Sequence, residues 1–175
     1  MKKLLYTIIF ILFISNLTFA QKATKIWVVR HAEKLTDNPK EKDPDLSEEG
    51  ILRAKDLKDF FKGERLTFIF ASNYKRTKQT ASPLADDRKL TINGYDAGNQ
   101  TELITTVNNL SAGKNILIVG HSNTVLSIVR ALGAEISINE LNDDDYDFIF
   151  EITKKGEKTT LKVMHFGKNH HSTTL

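Results

Sequence analysis

Short apolar runs rich in β-branched residues recur along the chain, separated by polar clusters. They predict strands at residues 25–30, 66–71, 90–92 and 115–119. Two of them have unbroken apolar centres, Ile26 to Val29 and Ile116 to Val119, the pattern of strands covered on both faces. Between the strands the period changes. Ser47 is placed to cap a helix that runs to about Phe61, with Ile51, Ala54, Leu57 and Phe61 at helical spacing on one face. Further helices are expected from Tyr74 to about Ala85, with an interruption at Pro83, from Thr101 to Leu110, and from Ser122 to Leu132. Gly133 is suited to close the last one. Residues 147–153 and 159–166 read as a hairpin around Lys155-Gly156-Glu157, and the polar stretch 34–45 as a loop. Strands alternating with helices imply an α/β fold. We expect a three-layer sandwich with a largely parallel central sheet, helices on both faces and the C-terminal antiparallel hairpin at one edge.

The first 20 residues break this pattern. Lys2 and Lys3 precede an apolar stretch, and Thr18-Phe19-Ala20 offers small residues at a cleavage point. That is the layout of a secretory signal peptide, and its apolar run is short for a membrane span of about 18–20 residues. The expectation is cleavage after Ala20, a periplasmic or secreted product, and no stable membrane span after processing. The segment also changes the charge. Among 175 residues, 25 are basic and 22 acidic, and residues 1–20 hold two of the basic ones and no acid. The remaining 23 against 22 gives no basic excess for a nucleic-acid partner. With no Cys, disulfides, thiolate metal sites and a cysteine nucleophile are excluded. No repeat or linker divides residues 21–175, which read as one domain.

Chemistry gathers at the strand ends. One strand leads into Arg30-His31 and another into Gly120-His121-Ser122. A third ends in Ala71-Ser72-Asn73, with Arg76 opening the next helix. In open α/β sheets, ligands bind beyond these carboxyl ends. Two Arg and two His suit a phosphate dianion. Guanidinium forks bind its oxygens in pairs, and a neutral imidazole can attack phosphorus. Positioning and charge stabilisation are most of what phosphoryl transfer asks. That logic calls for no metal and no cofactor.

These residues carry a family resemblance. Val29-Arg30-His31-Ala32-Glu33-Lys34 resembles the Arg-His signature of the histidine phosphatase superfamily, in its phosphoglycerate-mutase-like branch. Asp45-Leu46-Ser47-Glu48-Glu49-Gly50 is similar to the stretch opening the family's first helix, and residues 71–81 to its Ser-x-x-x-Arg-x-x-Gln-Thr-Ala segment. Val119-Gly120-His121-Ser122-Asn123-Thr124 is similar to its second-His motif. The resemblance implies that His31 is a nucleophile that becomes phosphorylated, and that Arg30, Arg76 and His121 bind the phosphoryl oxygens. The family's mutase-type acid, a Glu in a longer segment, has no counterpart here. Asp96 is the first candidate for the general acid, with burial raising its pKa, and Glu102 the second. Without an acid, only substrates with good leaving groups, such as phosphohistidine or an acyl phosphate, would react quickly.

The implied activity is that of a metal-independent phosphatase acting on a phosphorylated small molecule or phosphoprotein. A phosphomutase is the nearest alternative, disfavoured because only 44 residues separate Arg76 from His121. A non-catalytic phosphate-binding module is the other. Lys25, Lys34, Lys40 and Lys42 would favour an anionic substrate, offset by Glu33, Asp37, Glu41, Asp43 and Asp45. Glu33 and Lys34 are placed at the entrance or on the surface, and Ser122 and Asn123 at the cap and first turn of their helix. His165 is read as structural. His170-His171 is read as a disordered tail rather than a metal pair, and Asp143-Asp144-Asp145 as a solvated loop.

Overall fold

The chain alternates its side chains between two cores, and the central strands show how. The computed structural model describes residues 22–110 and 112–173; the expected signal segment lies outside them. Among the described residues the element order is β1 (Thr24–Arg30), α1 (Glu48–Phe60), β2 (Phe68–Ser72), α2 (Lys75–Arg88), β3 (Ile92–Tyr95), α3 (Thr101–Asn109), β4 (Asn115–Gly120), α4 (Ser122–Ala131), β5 (Phe148–Lys155) and β6 (Lys158–His165). On β1, Ile26 and Val28 enter one core while Trp27 and Val29 enter the other, all buried. On β4, Ile116 and Ile118 alternate with Leu117 and Val119 in the same way. Period-two alternation on a doubly covered strand therefore reads as a continuous apolar run. Helices α3 and α4 close one face with Leu103, Val107, Val125, Ile128 and Val129. Helices α1 and α2 close the other with Leu57, Ala81, Leu84 and Ala85.

The sheet order is β3-β2-β4-β1-β5-β6. The first four strands are parallel, and β5 and β6 add the antiparallel edge. Register matters for function. Arg30 pairs with Gly120, Ala71 with Val119 and Ser72 with Tyr95, so the strand ends form one row. The hairpin turns through Gly156, with φ +60, and Glu157 between the paired Lys155 and Lys158. A positive φ at the first central position is what glycine supplies in such a turn.

Three expectations shift. Helix α2 does not break at Pro83 but runs on to Arg88. An interior proline costs about 3 kcal/mol in an isolated helix, yet Leu84 and Ala85 are fully buried just beyond it. Burying one Leu side chain is worth roughly 1.5–3 kcal/mol, so packing offsets the lost bond. Strand β3 spans Ile92–Tyr95 rather than 90–92, because pairing with β2 continues through Gly94 and Tyr95. Ile51 is 48% exposed, since the buried stripe of α1 runs through Gly50, Arg53, Ala54 and Leu57. That rotation follows from Gly50, whose backbone lies against Glu33. A Cβ at Gly50 would stand 2.0 Å from the Glu33 carbonyl oxygen.

Gly50→Ala is therefore expected to destabilise the fold by about 1–3 kcal/mol in urea titration. Helix propensity alone predicts the opposite, a gain of about 1 kcal/mol, so a stabilised variant would show that the helix does not dock there.

Candidate active site

At the row of strand ends lies an open pocket of about 340 Å³. Arg30, His31, Lys34, Arg76, His121 and Asp143 give it its charge, and Tyr74, Ser122, Asn123 and Thr124 complete much of the wall. Arg30, His31, Arg76 and His121, separated by up to 91 positions in sequence, are thus brought together.

His31 leaves β1 with its backbone N–H donating to Gly120 O at 2.9 Å. Its ring is buried, and Nδ1 lies 2.7 Å from Ala32 O. A carbonyl only accepts, so Nδ1 carries the proton and Nε2 holds the lone pair. Burial pushes the His31 pKa down to about 2, opposed by the Ala32 bond and helped by the positive fields of Arg30, His121 and Arg76. The imidazole is thus neutral and available.

His121 is the N-cap of α4; Ser122, expected at the cap, is the first helical residue. Burial, then the fields of Arg76 and Arg30, lower the His121 pKa to about 4. Its Nδ1 lies 3.4 Å from Arg76 Nη2, a group that only donates. Nδ1 therefore accepts, and Nε2–H donates to Ser72 Oγ at 2.7 Å. Ser72 lies 3.0 Å from Thr77 Oγ1, which reaches the Ser72 and Tyr74 carbonyls at 2.8 Å. This relay orients the ring, and sequence reasoning assigned Ser72 and Thr77 no role.

The two guanidiniums are held from behind. Arg30 is 5% exposed, and its Nη1 donates to the carbonyls of Asn142, Asp143 and Asp145. Its plane lies 4.0 Å from the Tyr146 ring centroid. Arg76 pairs with Asp43 at 3.3 Å and lies 4.4 Å from the Tyr74 ring. The Nε–H groups of both arginines are buried without a partner among the described residues. Buried unpaired donors are costly, and both guanidiniums line the pocket. The α4 N-terminus adds backbone N–H groups and a partial positive charge.

Other expectations end elsewhere. Asp96 is exposed, accepts from Gly98 N at 2.8 Å and does not line the pocket; Ala97 and Gly98 do. The burial expected to make it an acid is absent, because extended β3 delivers it to a surface turn. Glu102 is also exposed, on α3. Lys34 lines the pocket, whereas Glu33 turns away and pairs with Arg53 and His170. Lys25 sits at the far end of β1 with Glu64 and Glu151. Asp145 is no solvated loop residue. It is fully buried and accepts from the backbone N–H groups of Asn142, Ser172 and Thr173. The His170-His171 segment packs on the body, with His170 N donating to Asp147 and His170 O accepting from Tyr146 N.

The imidazole carbons of His31 and His121 are expected to keep neutral shifts in NMR titration from pH 8 to 5, where an ordinary His, at about 6.5, becomes mostly charged. The folded state then binds fewer protons than the unfolded chain below pH 6.5, so stability falls as pH drops from there. Titration of both rings near 6.5 would contradict this geometry.

Residues 26–97 match the family model of the histidine phosphatase superfamily, branch 1. That span holds Arg30, His31 and Arg76, and His121 follows it. No curated protein sequence matches the chain. Among solved structures, a SixA protein from Agrobacterium tumefaciens shares the fold at TM-score 0.60 and 17% identity, covering 86% of this chain and 100% of its own. The protein histidine phosphatase SixA solved with tungstate gives TM-score 0.62 at 17% identity, over 81% and 96%. Phosphoglycerate mutase from Bacillus anthracis gives 0.63 at 13% identity, over 83% and 94%. Residues 26–97 are thus similar to the histidine phosphatase superfamily, branch 1, and the chain as a whole shares the fold of these solved structures.

Proposed function

We propose that the protein is an exported, metal-independent phosphatase that works through a phosphohistidine on His31. One observation carries the reading: a buried, neutral His31 with Nδ1 tied to Ala32 O lies in a pocket it shares with Arg30, Arg76 and His121. In the first step Nε2 bonds to phosphorus and the leaving group departs with the electron pair of its bond. Arg30 and Arg76 stabilise the charge on the phosphoryl oxygens, as fixed donors do in a site with little reorganisation, and His121 steadies Arg76, whose Nη2 faces its Nδ1 at 3.4 Å. Water then takes the phosphoryl group from Nε2 and His31 returns to its neutral form. The two guanidiniums supply the positive charge that a metal supplies elsewhere. The tungstate bound by the structurally similar SixA is a tetrahedral oxyanion, which agrees with this use of the fold.

The pocket also narrows the leaving group. An acid near neutrality needs burial or a like charge to keep its proton. No buried carboxylate lines the pocket among the described residues; Asp143 lines it, fully exposed. Substrates whose leaving group departs without strong proton assistance fit best: phosphoramidates such as phosphohistidine, acyl phosphates and aryl phosphates. Export rests on the N-terminal pattern of Lys2, Lys3 and the apolar run after them.

Protein recovered after export should begin at Gln21 by mass spectrometry and hydrolyse an aryl phosphate in chelator. The rate should fall at least about 10³-fold in His31→Ala and 10²–10³-fold in Arg76→Ala. Alkyl phosphates should react at least about 10²-fold more slowly than aryl ones, the usual share of a general acid. Phosphate transfer between substrate hydroxyls would indicate a mutase. Saturable binding without product would indicate a binding module.

A further inference from the structure

The two histidines of the C-terminal segment do different things. His170 turns its Nδ1 to Glu33 at 2.7 Å. His171 turns its own to Asp147, 2.7 Å from one carboxylate oxygen and 3.0 Å from the other. From the end of β6, His165 brings a second Nδ1 to the same carboxylate at 3.1 Å. Three potential ligand atoms, one from each residue, lie within 4.8 Å of one another. None of the three residues lines the phosphate pocket.

The geometry points to a divalent transition-metal site formed by Asp147, His165 and His171, of the kind that takes Zn²⁺. Two imidazole nitrogens and one carboxylate oxygen are a ligand set that Zn²⁺ favours, at about 2.0–2.2 Å per bond, with a fourth position for water. Ligand atoms of a tetrahedral ion lie about 3.3–3.6 Å apart, so the contacts of 2.7 and 3.1 Å to Asp147 would open by a few tenths of an ångström as the ion enters. The surroundings are arranged as a metal site requires. Asp147 is 1% exposed, and its second oxygen also accepts from His170 N at 3.0 Å, which fixes the carboxylate. The rings of His165 and His171 stack at 4.2 Å, and the buried Phe148 ring packs against both, at 4.5 and 5.4 Å. The histidine side chains keep 35% and 26% of their exposure, so an ion has a path in.

The ion would staple residue 171 to the start of β5 and the end of β6. The neighbouring Ser172 and Thr173 N–H groups hold Asp145, whose carbonyl accepts from Arg30. The staple therefore supports the wall behind the phosphate pocket without entering it.

The test is Zn²⁺ titration of the purified chain by calorimetry, with melting temperature as a second readout. One equivalent should bind and raise the melting temperature. His165→Ala and His171→Ala should each weaken binding at least about tenfold and remove the thermal gain. His170→Ala should keep the site, and so should His31→Ala, which disables the two-histidine phosphate pocket. The His31→Ala protein should also bind Co²⁺ with the visible d–d bands of a tetrahedral site, a readout that holds even where the other variants fold poorly. No saturable Zn²⁺ binding, binding that survives both His165→Ala and His171→Ala, binding lost in His31→Ala, or absence of the Co²⁺ bands would each overturn the site.

Discussion

The guanidinium of Arg30 is taken out of water at the end of a central strand, and much of the molecule is arranged around that burial. An uncompensated buried charge costs several kcal/mol. Here three carbonyls of residues 142–145 receive one nitrogen, and the Tyr146 face covers the plane. Those carbonyls belong to an irregular loop that needs its own support. The buried Asp145 carboxylate provides it by gathering N–H groups from Asn142, Ser172 and Thr173. One cation thereby ties β1, the loop before β5 and the C-terminal segment into one unit. A second buried guanidinium, Arg53, repeats the device: it pairs with Glu33 and also donates to the carbonyls of Phe166 and Lys168. Burial alone would raise the Glu33 pKa, but hydrogen bonds from Arg53 and His170 outweigh it and hold it low.

The same burial explains the reactive state of the pocket. Four parallel strands in register deliver their carboxyl ends to one row, so Arg30, His31, Ser72 and His121 arrive together without long loops. Burial first, and the fields of Arg30 and Arg76 after it, keep both imidazoles neutral. A neutral imidazole among cations is the state that the proposed attack of His31 on a phosphate dianion requires. Asp43 on Arg76 and Asp143 near Arg30 temper that charge, so the arginines are oriented before a ligand comes.

What could be read in the sequence follows from how local each signal is. The strands β1 and β4 show as unbroken apolar runs because both faces are covered. Arg30, His31, Arg76 and His121 were legible because each sits at a strand end or helix start inside a short motif. The loop behind Arg30 was not, since its bonds join residues 112 to 115 positions apart and depend on carbonyls, which any residue carries. For the same reason Asp143-Asp144-Asp145 read as a solvated acidic run, although Asp145 is buried. His170 and His171 gave no periodic pattern, and their order comes from partners at Glu33 and Asp147. Asp96 was misplaced by strand length: three more residues of pairing, Asn93 to Tyr95, carried it to a surface turn. Pro83 was overruled by Leu84 and Ala85, whose burial is a tertiary fact.

The central claim is that Nε2 of His31 takes the phosphoryl group. Mixing the enzyme with a radiolabelled aryl phosphate and quenching in base within the first turnovers tests it most directly, since phosphohistidine survives base and is labile to acid. The account predicts label on the protein, stable in base, lost in acid, and mapped by peptide mass spectrometry to His31. Turnover with no labelled protein, or label on a residue other than His31, would contradict it.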